Sequence, residues 1–241
     1  MSHIRKPDSE IERPATSNHL LASLAPADRA LLALDLQPVR LSLRQVLYEP
    51  NGAIPYVYFP TDGCVSMITE TPDGSVEVGT IGLEGLMGVP VLLYGDSETA
   101  RALVQVEGQA QRIAADALRI VVSEREAVRR ILLRYTLALF NQIGQSVACN
   151  RLHALEARCA RWLLMTHDRV QGDSFELTQE FLSYMLGVHR PAVTLAAGLL
   201  QRAGFIHYTR GHITVTDRAG LESASCCCYQ VARDNLNSLA N

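Results

Sequence analysis

The sequence predicts an α+β protein in three parts: an N-terminal antiparallel β-roll of jelly-roll type, one long central helix, and a C-terminal winged helix-turn-helix. Three observations predict it. Between Val39 and Ile113, short β-rich runs alternate with turn residues. From Ser123 to Cys149 the turn residues stop and apolar positions recur at helical spacing. Thr178 to Leu200 then carries the cap, glycine and proline pattern of two short helices joined by a tight turn. At 241 residues, 48% hydrophobic and net charge −3, the chain is long enough for two cores and too apolar for a disordered one.

In chain order, residues 1–17 are polar and mixed in charge, which reads as a flexible N-terminus with neither the apolar core of a secretory signal nor the acid-poor bias of a transit peptide. The longest uncharged helical run, Tyr135 to Asn150, holds Asn141, Gln142, Gln145 and Ser146, so no membrane span is expected and the protein reads as cytoplasmic. Asn18 to Leu36 predicts two short helices broken at Pro26. The roll follows, the sensor part of residues 18–122, with strands expected at Val39–Leu43, Val46–Tyr48, Val57–Phe59, Val65–Thr69, Val76–Ile81, Ala102–Val106 and Gln109–Ile113. Asn51-Gly52, Asp62-Gly63 and Asp73-Gly74 are hairpin signals, because these pairs readily take the positive φ that tight turns require.

Residues 123–150 read as one helix. Val128, Leu132, Tyr135, Leu139, Gln142, Ser146 and Cys149 follow the alternating 4,3 spacing of two packed helices, and Ile131, Leu133, Leu137, Phe140, Ile143 and Val147 make other faces apolar too. Such a helix must be covered on more than one side. One reading is an ordinary core helix against the roll; the favoured one is a helix that packs on the roll and also pairs with its twin in a homodimer, with Val128, Leu132, Tyr135, Leu139 and Gln142 as the dimer seam.

Residues 151–225 form the third region, followed by a tail, 226–241. Thr178 is the N-cap of the first helix, Gly187 sits in the turn, and Pro191 falls in the first turn of the second helix, where its missing N–H costs nothing. Phe205-Ile206-His207-Tyr208 and His212-Ile213-Thr214-Val215-Thr216 make a wing about the turn Thr209-Arg210-Gly211. In such a unit the second helix enters the major groove, where Arg190 suits the O6/N7 edge of guanine. His189, Pro191, Ala192 and Thr194 face the groove beside it, while Thr178, Arg202 and Arg210 stand near phosphates. Charge agrees with this placement. Residues 1–150 hold 13 Lys and Arg against 17 Asp and Glu, whereas 151–241 hold 9 against 8, and His189 to Arg218 has four arginines and one acid, Asp217. Read from residues alone, the winged unit could also be a protein-interaction or adaptor module without sequence-specific DNA binding.

A roll, a pairing helix and a C-terminal winged helix-turn-helix, in this order and with these lengths, resemble the Crp–Fnr family of bacterial transcription regulators over nearly the whole chain, most specifically from Leu177 to Ile206. The resemblance implies a homodimer that reads a near-palindromic site on double-stranded DNA, works with RNA polymerase, and answers a signal sensed by the roll. In the family's best-known readers the arginine matched by Arg190 is followed by a Glu and, four residues later, by another Arg. Pro191 and Leu195 occupy those places here, so a different operator is expected.

Cyclic-nucleotide-binding members hold the ribose with a Gly-Glu pair and the phosphate with an Arg-Ser pair. Gly85-Leu86-Met87-Gly88 and Thr99-Ala100-Arg101-Ala102 stand in those places. The resemblance thus puts an effector site at Leu86, Met87, Gly88, Thr99, Ala100 and Arg101, with a cyclic mono- or dinucleotide as one ligand class and the small-molecule effector otherwise unknown. The family's iron–sulfur option uses cysteines before the roll, and none precedes Cys64, so no such cluster is expected. Three adjacent cysteines on a helix point in different directions, so Cys226, Cys227 and Cys228 read as semi-buried neutral residues rather than a thiol sensor or soft-metal site, and no metal is expected. An enzyme is not expected either. A metal oxygenase built on a roll needs interior histidines, but only His3 and His19 precede residue 150, and Gly-rich phosphate loops and Ser/His/Asp nucleophile motifs are absent.

Overall fold

The computed structural model describes residues 18–238, so the expected flexible segment 1–17 and the last three residues of the tail lie outside the described residues. Two short helices open the chain, α1 (His19–Ser23) and α2 (Pro26–Ala33). Asn18 caps α1 through its side-chain oxygen, and its Nδ2 donates to the carbonyls of Pro60 (3.0 Å) and Gly85 (2.7 Å), which ties the chain start to the roll.

The roll is one five-stranded antiparallel sheet, made of β1 (Gln37–Leu41), β2 (Val46–Tyr48), β3 (Tyr56–Thr71), β4 (Gly74–Ile81) and β5 (Arg101–Ala114), in the order β1-β5-β3-β4 with β2 also on β5. The seven short strands expected are therefore five, because two pairs of them are single long strands. Asp62-Gly63 is a bulge inside β3 rather than a hairpin. Gly63 has φ +72°, and a Cβ there would stand 2.5 Å from the Val106 carbonyl oxygen, so the neighbouring strand admits no side chain at that position. The bulges bend β3 and β5 together, which is what turns a flat ladder into a roll. Asp73-Gly74 does make the β3–β4 hairpin, with Thr71 opposite Gly74.

The long helix expected from Ser123 is present but starts at Glu126, and a separate helix precedes it. α3 (Ala115–Glu124) ends where Arg125 takes an extended backbone, and α4 (Glu126–Leu152) follows. The expected dimer seam also needs correction. Val128, Leu132, Tyr135, Leu139 and Gln142 are all buried inside the chain, against the roll, and so are not available to a second copy. Their polar atoms find partners there: the Tyr135 hydroxyl donates to the Leu86 carbonyl (3.2 Å) and Gln142 Nε2 to that of Thr80 (3.1 Å). The large apolar residues that α4 turns to solvent are Leu133, Leu137, Phe140 and Val147, with Leu152 at its end.

The C-terminal region consists of α5 (Leu155–His167), β6 (Ser174–Glu176), α6 (Gln179–Leu186), α7 (Arg190–Arg202), β7 (Ile206–Thr209), β8 (His212–Val215), α8 (Arg218–Ala224) and α9 (Cys228–Asn237). The wing is three-stranded, in the order β6-β8-β7, one strand more than expected. This region does not stand apart from the roll. Ile68 and Leu103 share a core with Trp162, Leu163 and Leu164, and the Trp162 indole donates to Glu77 Oε1 (3.0 Å). The tail also docks: Arg134 of α4 donates to the Ser238 carbonyl (2.9 Å), and Tyr229 and Arg218 share the Asp168 carboxylate. Among the described residues no helix is long and apolar enough to cross a membrane.

Candidate nucleic-acid interface

The local sequence accounts for the shape of the α6–α7 unit. Thr178 caps α6 by accepting from Phe181 N, and Gly187 ends it in the left-handed region (φ +64°) while Val188 N closes back on the Ser183 carbonyl at 3.1 Å. Leu182, Met185, Leu186, Val193, Ala196 and Leu200 fill the angle between the helices. The Ser183 hydroxyl donates to the Glu180 carbonyl within α6. The wing turn is closed by positive φ at both Arg210 (+49°) and Gly211 (+84°).

Once those contacts are made, α7 shows solvent one face. His189, Arg190, Pro191, Thr194 and Leu195 are exposed in its first turns, with Arg202 at its end and Arg210 at the wing tip. Among the described residues Arg190, Arg202 and Arg210 have no carboxylate partner, so their charge is available. Thr194 is partly committed, since its hydroxyl donates to Gln179 Oε1 (2.8 Å) and thereby fixes α6 to α7. Thr178 is half-buried and its oxygen is spent on the cap. His189 and Ala192 face a groove of about 970 Å³ whose other wall is the β3–β4 hairpin, including Asp73 and Ser75. Tyr184 donates to Glu70 Oε1 across this junction (2.7 Å), a contact that sequence reasoning missed because its partners are far apart in the chain. Also missed was Gln201, whose side-chain oxygen accepts from Tyr208 N and holds the wing to α7.

The expected effector residues do not assemble into an anion site. Leu86 and Met87 are buried in the roll core, Met87 bridged to Tyr58, and Gly88 lies against Val57. Ala100 is buried and Thr99 exposed. The Arg101 guanidinium is held by two carboxylates, Glu49 (2.8 Å) and Glu70 (2.7 Å), which neutralise the charge a phosphodiester would need. Beside them, burial pushes the Glu98 carboxyl up to about 7, against a weaker opposing effect of the Tyr48 hydroxyl 3.5 Å away. A raised carboxyl favours the fold while neutral; the contribution is complete below the ordinary carboxyl pKa and lost as pH rises through about 7. Glu98→Gln is therefore expected to leave stability unchanged near pH 4 and to raise it by up to about 3 kcal/mol at pH 8, measured by urea unfolding at both pH values. An equal effect at both would show that the carboxyl is ionised throughout.

Comparison with known proteins bears on this geometry. Residues 157–224 match the Crp-like helix-turn-helix domain. Among solved structures, FixK2 from Bradyrhizobium japonicum superposes with a TM-score of 0.67 at 17% identity, covering 80% of this chain and 98% of that one. A CRP-family transcriptional regulator from Thermus thermophilus gives 0.65 at 20% identity over 78% and 96%. The c-di-GMP responsive global regulator CLP of Xanthomonas campestris gives 0.61 at 16% identity over 79% and 99%. No curated protein sequence matches. Residues 157–224 are thus a Crp-like helix-turn-helix domain, carried on a chain with the fold of the Crp/Fnr-type transcription regulators.

Proposed function

We propose that the protein is a homodimeric regulator that binds double-stranded DNA through α7, without enzymatic activity, and alters transcription by RNA polymerase at a near-palindromic operator. The observation that supports this best is the exposed first turn of α7, where Arg190 is unpaired among the described residues and flanked by His189 and Pro191, with Arg202 and Arg210 placed for phosphates to either side. Leu195, 70% exposed on the same face, gives the helix an apolar tip that suits a thymine methyl rather than a second guanine. The second copy is proposed to sit on the outward stripe of α4. As for the signal, Arg101 is already neutralised and Leu86 and Met87 are in the core, so a cyclic mono- or dinucleotide acting on this roll would have to be held by other residues.

Selection of binding sites from random duplexes, followed by gel shift at several salt concentrations, tests the reading. The expected result is an enriched two-fold site whose affinity falls steeply with salt. Arg190→Ala should then cost about 1–3 kcal/mol and relax preference at one base position in each half-site. Uniform weakening on all sequences would mean that Arg190 touches only phosphate, and no enrichment with the wild-type protein would leave the winged unit as a protein-interaction module.

A further inference from the structure

A cluster of metal-binding side chains lies away from the DNA-facing surface, at the end of the central helix. Cys149 comes from the last turn of α4, His153 is its C-cap, Cys226 stands in the turn between α8 and α9, and Cys228 is the first residue of α9. One ligand atom from each falls within 4.8 Å of all the others. Cys149 Sγ and Cys226 Sγ are 3.4 Å apart, as are Cys228 Sγ and His153 Nδ1. In a tetrahedral zinc site with Zn–S of about 2.3 Å and Zn–N of about 2.0 Å, ligand atoms stand about 3.5–3.8 Å apart along each edge. The four groups therefore need shifts of about 1 Å or less to enclose an ion.

The surroundings fit the same chemistry. Cys149, Cys226 and Cys228 are buried, while Cys227 is exposed with its sulfur 4.0 Å from His153 Nε2, outside the cluster. Gln145 Nε2 donates to Cys228 Sγ (3.0 Å), the kind of outer hydrogen bond that orients a thiolate ligand. Three thiolates and a neutral imidazole around a divalent cation leave one net negative charge in a partly buried place. Arg158 and Arg161, both within electrostatic reach of Cys149, offset it, and Arg161 Nε is buried with no hydrogen-bond partner.

We propose that Cys149, His153, Cys226 and Cys228 form a Cys3His site for zinc, closed by four protein ligands and structural in character. Loading replaces the three thiol protons, which pass to solvent, with one metal ion, and no electron is transferred. The site joins α4 to the tail at the point where the chain turns into α5, so an ion there staples α9 across the junction between the roll and the helix-turn-helix. The site is independent of whether the chain binds DNA.

The test uses the full chain, reduced and stripped with chelator, then titrated with Co2+. The expected spectrum has the intense visible bands of tetrahedral Co2+ with thiolate-to-metal charge transfer, saturates at one ion per chain, and is bleached by Zn2+. Cys149→Ser, Cys226→Ser, Cys228→Ser and His153→Ala should each abolish or shift it; Gln145→Ala should weaken affinity about 10–100-fold. Cys227→Ser should change nothing. Because a core cysteine variant can fail to fold, X-ray absorption of the zinc-loaded wild-type protein supplies a second reading, expected to show three sulfur and one nitrogen neighbour. Octahedral Co2+, a different ligand count, loss on Cys227→Ser equal to that on Cys228→Ser, or a reduced protein that takes up no ion would overturn the proposal.

Discussion

A chain carrying Leu137→Glu and Phe140→Glu is expected to run as a monomer in light scattering, with an unchanged far-UV spectrum, and to lose about 10²–10⁴-fold in affinity for a two-half-site duplex. The two side chains are 60% and 72% exposed, and with Leu133 and Val147 they mark a stripe at 4,3 spacing in which Gly144 fills the remaining place and has open space before it. Carboxylates on that stripe remove nothing from the chain's own core, so folding should survive while a symmetric partner meets four buried charges. Affinity for a single half-site should stay the same, which separates lost pairing from a damaged α7. A dimeric mass for the double variant would move the interface off this stripe. Leu139→Glu serves as the contrast. Leu139 is 4% exposed and packs beside Gly79 of β4, so a charge there should unfold the roll junction instead of separating the dimer.

That contrast shows what the sequence could and could not tell. Two stripes on α4 share the same heptad spacing, one through Val128, Leu132 and Tyr135 and the other through Leu133, Leu137 and Phe140. Spacing reveals that both must be covered but not by what. Tyr135 and Gln142 settle the matter only in three dimensions, since their polar atoms bond the Leu86 and Thr80 carbonyls of the roll. The helix-turn-helix was legible because its signals are local: the Thr178 cap, positive φ at Gly187 and a proline at the start of α7 each act within a few residues. Asp62-Gly63 misled because a positive-φ glycine serves a bulge as readily as a hairpin. Arg101 looked able to hold an anion only while Glu49 and Glu70, distant in the chain, were out of view. The proximity of the cysteines to His153 was hidden for a related reason. Cys226 lies before α9 rather than on it, so it and Cys228 turn to one side, toward Cys149 and His153, more than seventy residues away.

Removing one buried arginine should also have a large effect on stability. Arg169 follows α5, and its side chain is 4% exposed; Glu84, in the loop after β4, is 15% exposed. Nε and one terminal nitrogen both donate to Glu84 Oε1 (2.9 and 2.7 Å), and the other terminal nitrogen donates to the Met165 carbonyl at 2.6 Å. Gly82 makes room for this arrangement, because a Cβ there would stand 2.7 Å from Arg169 Cγ. The pair thus joins the C-terminal region to the roll with both partners mostly buried. Arg169→Ala leaves the Glu84 carboxylate mostly buried without its cation, with only the Gly82 N–H still donating to Oε1, and unfolding in urea should show a loss of about 3–5 kcal/mol. Arg169→Met with Glu84→Gln removes both charges and should recover much of it, since the desolvation cost of the lone carboxylate disappears along with the attraction. Removing Arg40 from its exposed pair with Glu107 should change nothing measurable. A loss at Arg169 no larger than at Arg40 would mean that the junction opens in solution and admits water to Glu84. A double variant no better than the single would assign the loss to the arginine's packing and its bond to Met165 rather than to its charge.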